Sequence, residues 1–181
     1  MLAAAAAGCG SSDGPTEPAV QPPTATVLAF TSEPGDFIGA GETKRYTYAD
    51  GTWEAFASGM GANGSGDPVQ FYVRFRANGW QERFVDNWTL FARAPQGQTL
   101  RVGTRYTGME HSALGARTAP GFTFDGNART CGSFSGWFEI TDLVLGSDNR
   151  VDRARVVFEQ HCDRKAPALR GEITIAANPW R

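Results

Sequence analysis

Apolar and polar residues alternate with a period of two along much of this chain. Over 69–76, Val69, Phe71, Val73 and Phe75 fall on one side, and Gln70, Tyr72, Arg74 and Arg76 on the other. That is the mark of a strand with one buried and one wet face. Trp88 and Leu90 share a parity within 88–92. Further along, Phe134, Phe138 and Ile140 share a parity, with Gly136 between them. Ala154, Val156, Phe158, Gln160 and Cys162 then oppose Arg153, Arg155, Glu159 and His161. Gly146-Ser147-Asp148-Asn149 separates these two runs and has turn chemistry, so they predict a long antiparallel hairpin. Shorter strands are expected at 27–31, 52–57, 100–106 and 169–176, the last with Leu169, Ile173 and Ile175 inward. The segments 44–48 and 52–57 flank Ala49-Asp50-Gly51, whose D-G pair predicts a β-hairpin over 44–57.

Apolar residues do not recur at i, i+3, i+4 and i+7 over three turns anywhere in the chain. Strands separated by turn signals, without intervening helices, predict an all-β fold: an antiparallel β-sandwich of about eight to ten strands, with a β-barrel as runner-up. The 22 glycines and the 12% aromatic content agree with turns and strands. At 181 residues the chain is long enough for one packed core. Its 17 basic and 19 acidic residues nearly cancel, which argues against a nucleic-acid partner.

The start of the chain has a different composition. Residues 1–8, MLAAAAAG, are small and apolar, like the end of a secretory signal. Residues 11–26, SSDGPTEPAVQPPTAT, are too poor in large apolar side chains to form a core and are expected to be a disordered tether. The expected organisation is therefore a residual signal segment at 1–8, a modified cysteine and tether at 9–26, and a single β-sandwich domain at 27–181. Ala6-Ala7-Gly8-Cys9 resembles the lipobox of bacterial lipoproteins, although no positive residue precedes Cys9. The resemblance implies a diacylglyceryl group on the Cys9 thiol, removal of the preceding segment and acylation of the new N-terminus. Several acyl chains hold a protein at a membrane far better than one, at about 0.8 kcal/mol per buried methylene. Gly10 stands where an aspartate commonly retains such proteins at the inner membrane, which points to the outer membrane. The stretches SEPGDFIGAGETKRYTYADGT (32–52) and VDRARVVFEQHC (151–162) resemble segments of secreted bacterial domains of uncharacterised function. That likeness spans most of 27–175. It implies export and brings no activity and no catalytic residues.

In an exported domain, Cys131 and Cys162 are expected to form a disulfide. A closed loop of about 30 residues is worth roughly 3–4 kcal/mol by loop entropy. A metal site would need more ligands than these cysteines and His161 supply, and a redox pair usually has C-x-x-C spacing. A simple register about Asp148-Asn149 sets Cys162 beside Ser135, so a bridge to Cys131 requires a bulge or a fold-back of the preceding loop.

The remaining candidate chemistry is sparse. The glycine-rich stretches 35–41 and 59–66 read as turns, since no helix follows to make a phosphate cradle. Asp142, Asp148, Asn149 and Asp152 cluster around one hairpin and are weak calcium candidates, off the EF-hand spacing. Glu159 and His161 share a strand face, and no G-x-S-x-G motif is present. No cofactor is expected. Trp53, Tyr72, Arg74 and Trp80 are the candidate binding surface, where aromatic rings and a guanidinium could stack on a carbohydrate or anchor a protein. Trp137 has the parity opposite to Phe138, which places it on a wet face, whereas Trp88 is expected in the core. The expected function is a lipid-anchored envelope or surface module that binds or scaffolds without catalysis. The alternative is a carbohydrate-active cell-envelope hydrolase on the same scaffold. A flat aromatic platform favours the first, and a deep polar pocket the second.

Overall fold

The period-two pattern resolves into two stacked sheets. The computed structural model describes residues 21–60, 67–79, 86–111, 117–146 and 149–176. Among them the strands are β1 (Val27–Ser32), β2 (Thr43–Thr47), β3 (Gly51–Met60), β4 (Pro68–Ala77), β5 (Asn87–Arg93), β6 (Arg105–Thr107), β7 (Glu110–His111), β8 (Gly121–Gly126), β9 (Phe134–Leu145), β10 (Val151–Cys162) and β11 (Leu169–Ile175). One sheet has the order β2-β1-β11-β10-β9-β6 and the other β3-β4-β5-β8-β7. Neighbouring strands are antiparallel except β7 and β8. The fold is an all-β sandwich and not a closed barrel. No helix among the described residues is long and apolar enough to cross a membrane.

The inward parities meet in an aromatic core. Trp88 of β5 stacks on Phe124 of β8 with ring centroids 5.4 Å apart, and Phe30 of β1 approaches both from the opposite sheet at 4.6 and 5.6 Å. Phe158 of β10 reaches Phe122 and Phe124 at 5.3 and 4.8 Å. Full burial of one such side chain is worth roughly 1.5–3 kcal/mol. The tilted and stacked geometries suit ring quadrupoles. Trp88 keeps its polar end satisfied: its indole N–H donates to the Tyr46 hydroxyl at 3.3 Å, which donates in turn to Asp86.

The expected 44–57 hairpin does not form. β2 pairs with β1 in the six-stranded sheet, while β3 pairs with β4 in the other. Asp50 explains the difference. Its Oδ2 accepts from the Thr47 backbone N–H at 2.6 Å and the Thr47 hydroxyl at 2.8 Å, capping a 3-10 turn over Tyr48–Asp50. The D-G turn therefore carries the chain from one sheet to the other. Gly51 is needed there because a Cβ would lie 2.1 Å from the Arg76 carbonyl oxygen.

The β9–β10 hairpin does form, and its register shifts. Cys162 lies opposite Phe134, not Ser135, with irregularities between Val151 and Arg153 and between Arg155 and Val156. Cys131 folds back from the loop before β9, and the Asp163 N–H extends the ladder to the Ser133 carbonyl at 2.8 Å. The two cysteines are joined, with Cα atoms 5.4 Å apart.

Gln160 sits one residue pair from this bridge. It is fully buried, and its side-chain amide spans the two sheets. Oε1 accepts from the Phe124 N–H and Nε2 donates to the Phe124 carbonyl, both at 3.1 Å. β7 covers that edge of β8 only at Gly121 and Phe122, so Gln160 satisfies the backbone polar groups just beyond. Gly136, directly across from Gln160, carries no side chain because a Cβ would stand 2.0 Å from the Glu159 carbonyl oxygen. Replacing Gln160 by Leu leaves two buried backbone groups unpaired, at about 1–3 kcal/mol each. We expect Gln160→Leu to lower Tm by on the order of 5–10 °C in thermal denaturation. An unchanged Tm would remove the amide from the set of interactions that hold the sheets.

Candidate functional site

Each sheet turns one face to solvent. On the outer face of the five-stranded sheet, Phe56, Tyr72 and Phe91 stand directly opposite one another on β3, β4 and β5. The next row is Glu54, Arg74, Thr89 and Asp125. The Phe56 and Tyr72 rings stack with centroids 4.5 Å apart and planes at 28°. The Arg74 guanidinium lies 5.1 Å from the Tyr72 ring centre, a cation–π distance. Glu54 pairs with Arg74 at 3.5 Å and with Arg76 at 3.1 Å. Phe56 is 45% exposed, and Tyr72 is half-buried. Burial pushes the Tyr72 hydroxyl above its ordinary range.

The structure therefore keeps Tyr72 and Arg74 on a wet face together and removes Trp53 from it. Trp53 is 3% exposed, packs against Phe75 at 4.8 Å and donates its indole N–H to the Thr47 carbonyl at 3.3 Å. Its cross-strand partner is Phe75, an inward residue, so β3 turns Trp53, Ala55 and Ala57 to the core. Phe56, which the sequence reading passed over, takes the outward place. Its signal was Glu54 two residues earlier: a charge on that parity marks the wet side. Trp80 lies outside the described residues.

One end of this face is closed by a buried ion pair. Arg93, 3% exposed, donates to Glu110 at 3.0 Å. Gly121 leaves room for the guanidinium, which a Cβ there would meet at 2.9 Å.

Among the described residues, the weak calcium candidates do not assemble. Both Asp142 oxygens accept from Arg153, at 2.6 and 3.2 Å. The Asn149 carbonyl accepts from the Ala57 N–H at 2.9 Å. Asp148 lies outside the described residues, as does Cys9. Among the described residues, Asp152 joins no group of three metal-ligating side chains. The glycine-rich turn at 35–41 is built around the buried Asp36. The Asp36 carboxylate accepts from the Gly39 N–H at 2.7 Å and the Ser32 hydroxyl at 2.9 Å, so an anion already occupies the place a phosphate would need.

On the six-stranded sheet the charges pair across strands. Arg155 is bidentate to Glu172 at 3.0 and 3.2 Å. Arg105 donates to Glu139 at 3.2 Å while its guanidinium lies 3.8 Å from the Trp137 ring centre. Arg170 bridges Glu33 at 2.6 Å and Glu159 at 2.7 Å. Glu159 and His161 do meet, Oε1 to Nε2 at 3.1 Å, while His161 Nδ1 faces the Lys165 and Ala166 carbonyls at 3.2 and 3.0 Å. His161 and then Arg170 hold the Glu159 carboxyl below its ordinary range, and Arg170 does the same for Glu33. Asp125 differs from these: burial pushes its carboxyl up, and its Oδ1 has no partner.

The chain matches no family model, no curated protein and no solved structure.

The lowered carboxyls set a pH dependence. A carboxyl with a depressed native pKa stabilises the fold above its unfolded value, near 4.3, and that contribution is lost as pH falls through the native value. Arg170→Leu should therefore lower Tm at pH 7, with the gap to wild type closing as pH drops below about 4. A gap that stays constant from pH 7 to pH 3 would show that Arg170 acts through packing alone.

Proposed function

We propose that this chain is an exported, lipid-anchored binding module of the bacterial cell envelope. Cys9 carries the acyl chains, and the residues after it act as a leash that ends before Ala25 and Thr26, which are hydrogen-bonded to Thr174 and Ala176; the sandwich is a rigid head that recognises a protein partner without catalysis. The observation that carries the binding reading is the half-exposed Phe56–Tyr72 stack with Arg74 beside it, on the outer face of the five-stranded sheet. Aromatic rings and arginine dominate the energetics of protein interfaces.

The anchor rests on the Ala6-Ala7-Gly8-Cys9 sequence and on the Pro- and Ser-rich stretch that follows it. The joined Cys131 and Cys162 fit an oxidising compartment. Gly10 favours the outer membrane. The hydrolase reading has narrower support. It needs free carboxylates, and Glu33, Glu54, Glu110, Glu139, Glu159, Glu172 and Asp142 are all bound to arginine. Among the described residues, only Asp125 has a carboxyl pushed up by burial.

Two experiments test the two halves. Metabolic labelling with a fatty-acid analogue, with the chain expressed behind a complete export signal, should label wild type and not Cys9→Ala. Label on both, or on neither, contradicts the anchor. A photo-crosslinking residue at position 56 in intact cells should give a discrete protein adduct that Arg74→Ala weakens, while the same probe at exposed Val102 gives none. No adduct from position 56, or the same adduct from both positions, contradicts the binding face.

A further inference from the structure

The outer face of the six-stranded sheet carries a trough of about 530 Å³, within the roughly 300–1,000 Å³ range of small-molecule sites. Its shape follows from the sequence. One row across the sheet reads Arg45, Ala29, Glu172, Val157, Glu139, Arg105, and the next reads Thr43, Thr31, Arg170, Glu159, Trp137, Thr107. The small side chains Ala29 and Val157 leave the middle of the sheet low. Gly171, between their strands, has the core-facing parity, and Phe158 fills the space where its Cβ would go.

The trough has one aromatic and one cationic end. Trp137 lies four strand spacings from Arg45, about 19 Å at 4.8 Å per spacing. Arg105 covers one face of the Trp137 ring, and the ring also lines the trough. Arg45, at the other end, is exposed and has no carboxylate partner among the described residues, unlike Arg105, Arg155 and Arg170. Beside it, along β1 and β11 toward Val27 and Thr174, lies a second hollow of about 360 Å³ that shares Ala29, Arg45 and Glu172.

We infer that this trough binds an acidic oligosaccharide, with one sugar ring stacked on Trp137 and a uronate carboxylate received by Arg45. An elongated floor fits a chain of rings rather than a single ring, and the Glu172 and Arg170 side chains within it are already paired, with Arg155 and with Glu33 and Glu159. An indole face backed by a guanidinium fits the apolar face of a sugar. A lone exposed guanidinium fits a planar carboxylate, which it can hold through two hydrogen bonds. The site lies on the sheet opposite Phe56 and Tyr72, so it stands apart from the protein-binding face proposed above.

Calorimetric titration with tetragalacturonate, against neutral cellotetraose as comparison, tests the inference. Saturable binding of the acidic tetramer is expected, with weaker binding of the neutral one. Trp137→Ala should weaken it roughly tenfold or more, and Trp137→Phe, which keeps a ring, should recover most of the loss. Arg45→Ala should cost roughly tenfold and erase the preference for the acidic tetramer. Phe56→Ala should change nothing. No saturable binding at millimolar tetragalacturonate, or binding indifferent to both Trp137→Ala and Arg45→Ala, overturns the site. Equal affinity for both tetramers overturns the acidic assignment. Loss of binding on Phe56→Ala alone places the sugar on the other sheet, and the trough is then wrong while the binding module survives.

Discussion

A buried amide ties the two sheets together beside the disulfide, where the edge of β8 is left uncovered. Gln160 projects from β10 into the core and meets the Phe124 N–H and carbonyl as another strand would. Without it, two backbone groups lie in an aromatic interior with neither water nor strand to satisfy them, which folded proteins rarely tolerate. The Gln160 Nε2 lies 3.9 Å from the Cys131 sulfur, so the covalent link between the β10 end and the loop before β9 is made in the same place. The rest of the structure depends on this point. The β9–β10 hairpin carries the floor and the Trp137 wall of the trough, and β8 braces the strands behind Phe56 and Tyr72.

With the core held so, the two outer faces are free to differ. On both, charges pair laterally, arginine to carboxylate across neighbouring strands, in positions where each exposed pair is worth little. Their larger effect is to commit the acidic groups. A face whose carboxylates are mostly bound to guanidinium groups is poorly suited to proton transfer and well suited to presenting a fixed surface. Two places break the lattice. One is the aromatic row of β3, β4 and β5, where stacked rings adjoin a guanidinium. The other is the hollow between Trp137 and Arg45. Rings with arginine are the ground for assigning a protein to the first, and the hollow for assigning a sugar chain to the second.

The strand faces were largely legible in the sequence, because a half-buried strand writes its orientation in every second residue. Phe71 to Phe75 and Ala154 to Cys162 bury the parities that alternation predicts. What alternation does not carry is which strand sits beside which. Asp50 and Gly51 have the composition of a hairpin turn, and only the capping of Thr47 makes them a crossover. The β9–β10 register moved by one residue through bulges that no local residue pattern announces. β8, with Phe122 and Phe124 inward, went unread among glycines and polar residues, and with it the partner of Gln160. Trp53 is grouped with Tyr72 and Arg74 as an aromatic able to stack on a ligand, yet it faces the core. The charge at Glu54 was the better guide to the wet side, and it points to Phe56.

The Phe124 amide reports most directly on whether the sheets are joined as described, since its hydrogen-bond acceptor is a side chain and not a neighbouring strand. Native-state hydrogen exchange read residue by residue by NMR is the decisive measurement. The account predicts that the Phe124 N–H exchanges as slowly as the core amides of β5 and β10, opening only when the whole domain unfolds. A Phe124 amide that exchanges as fast as that of the exposed turn residue Gly97 would contradict the cross-sheet clamp, and with it the rigid faces on which both binding sites rest.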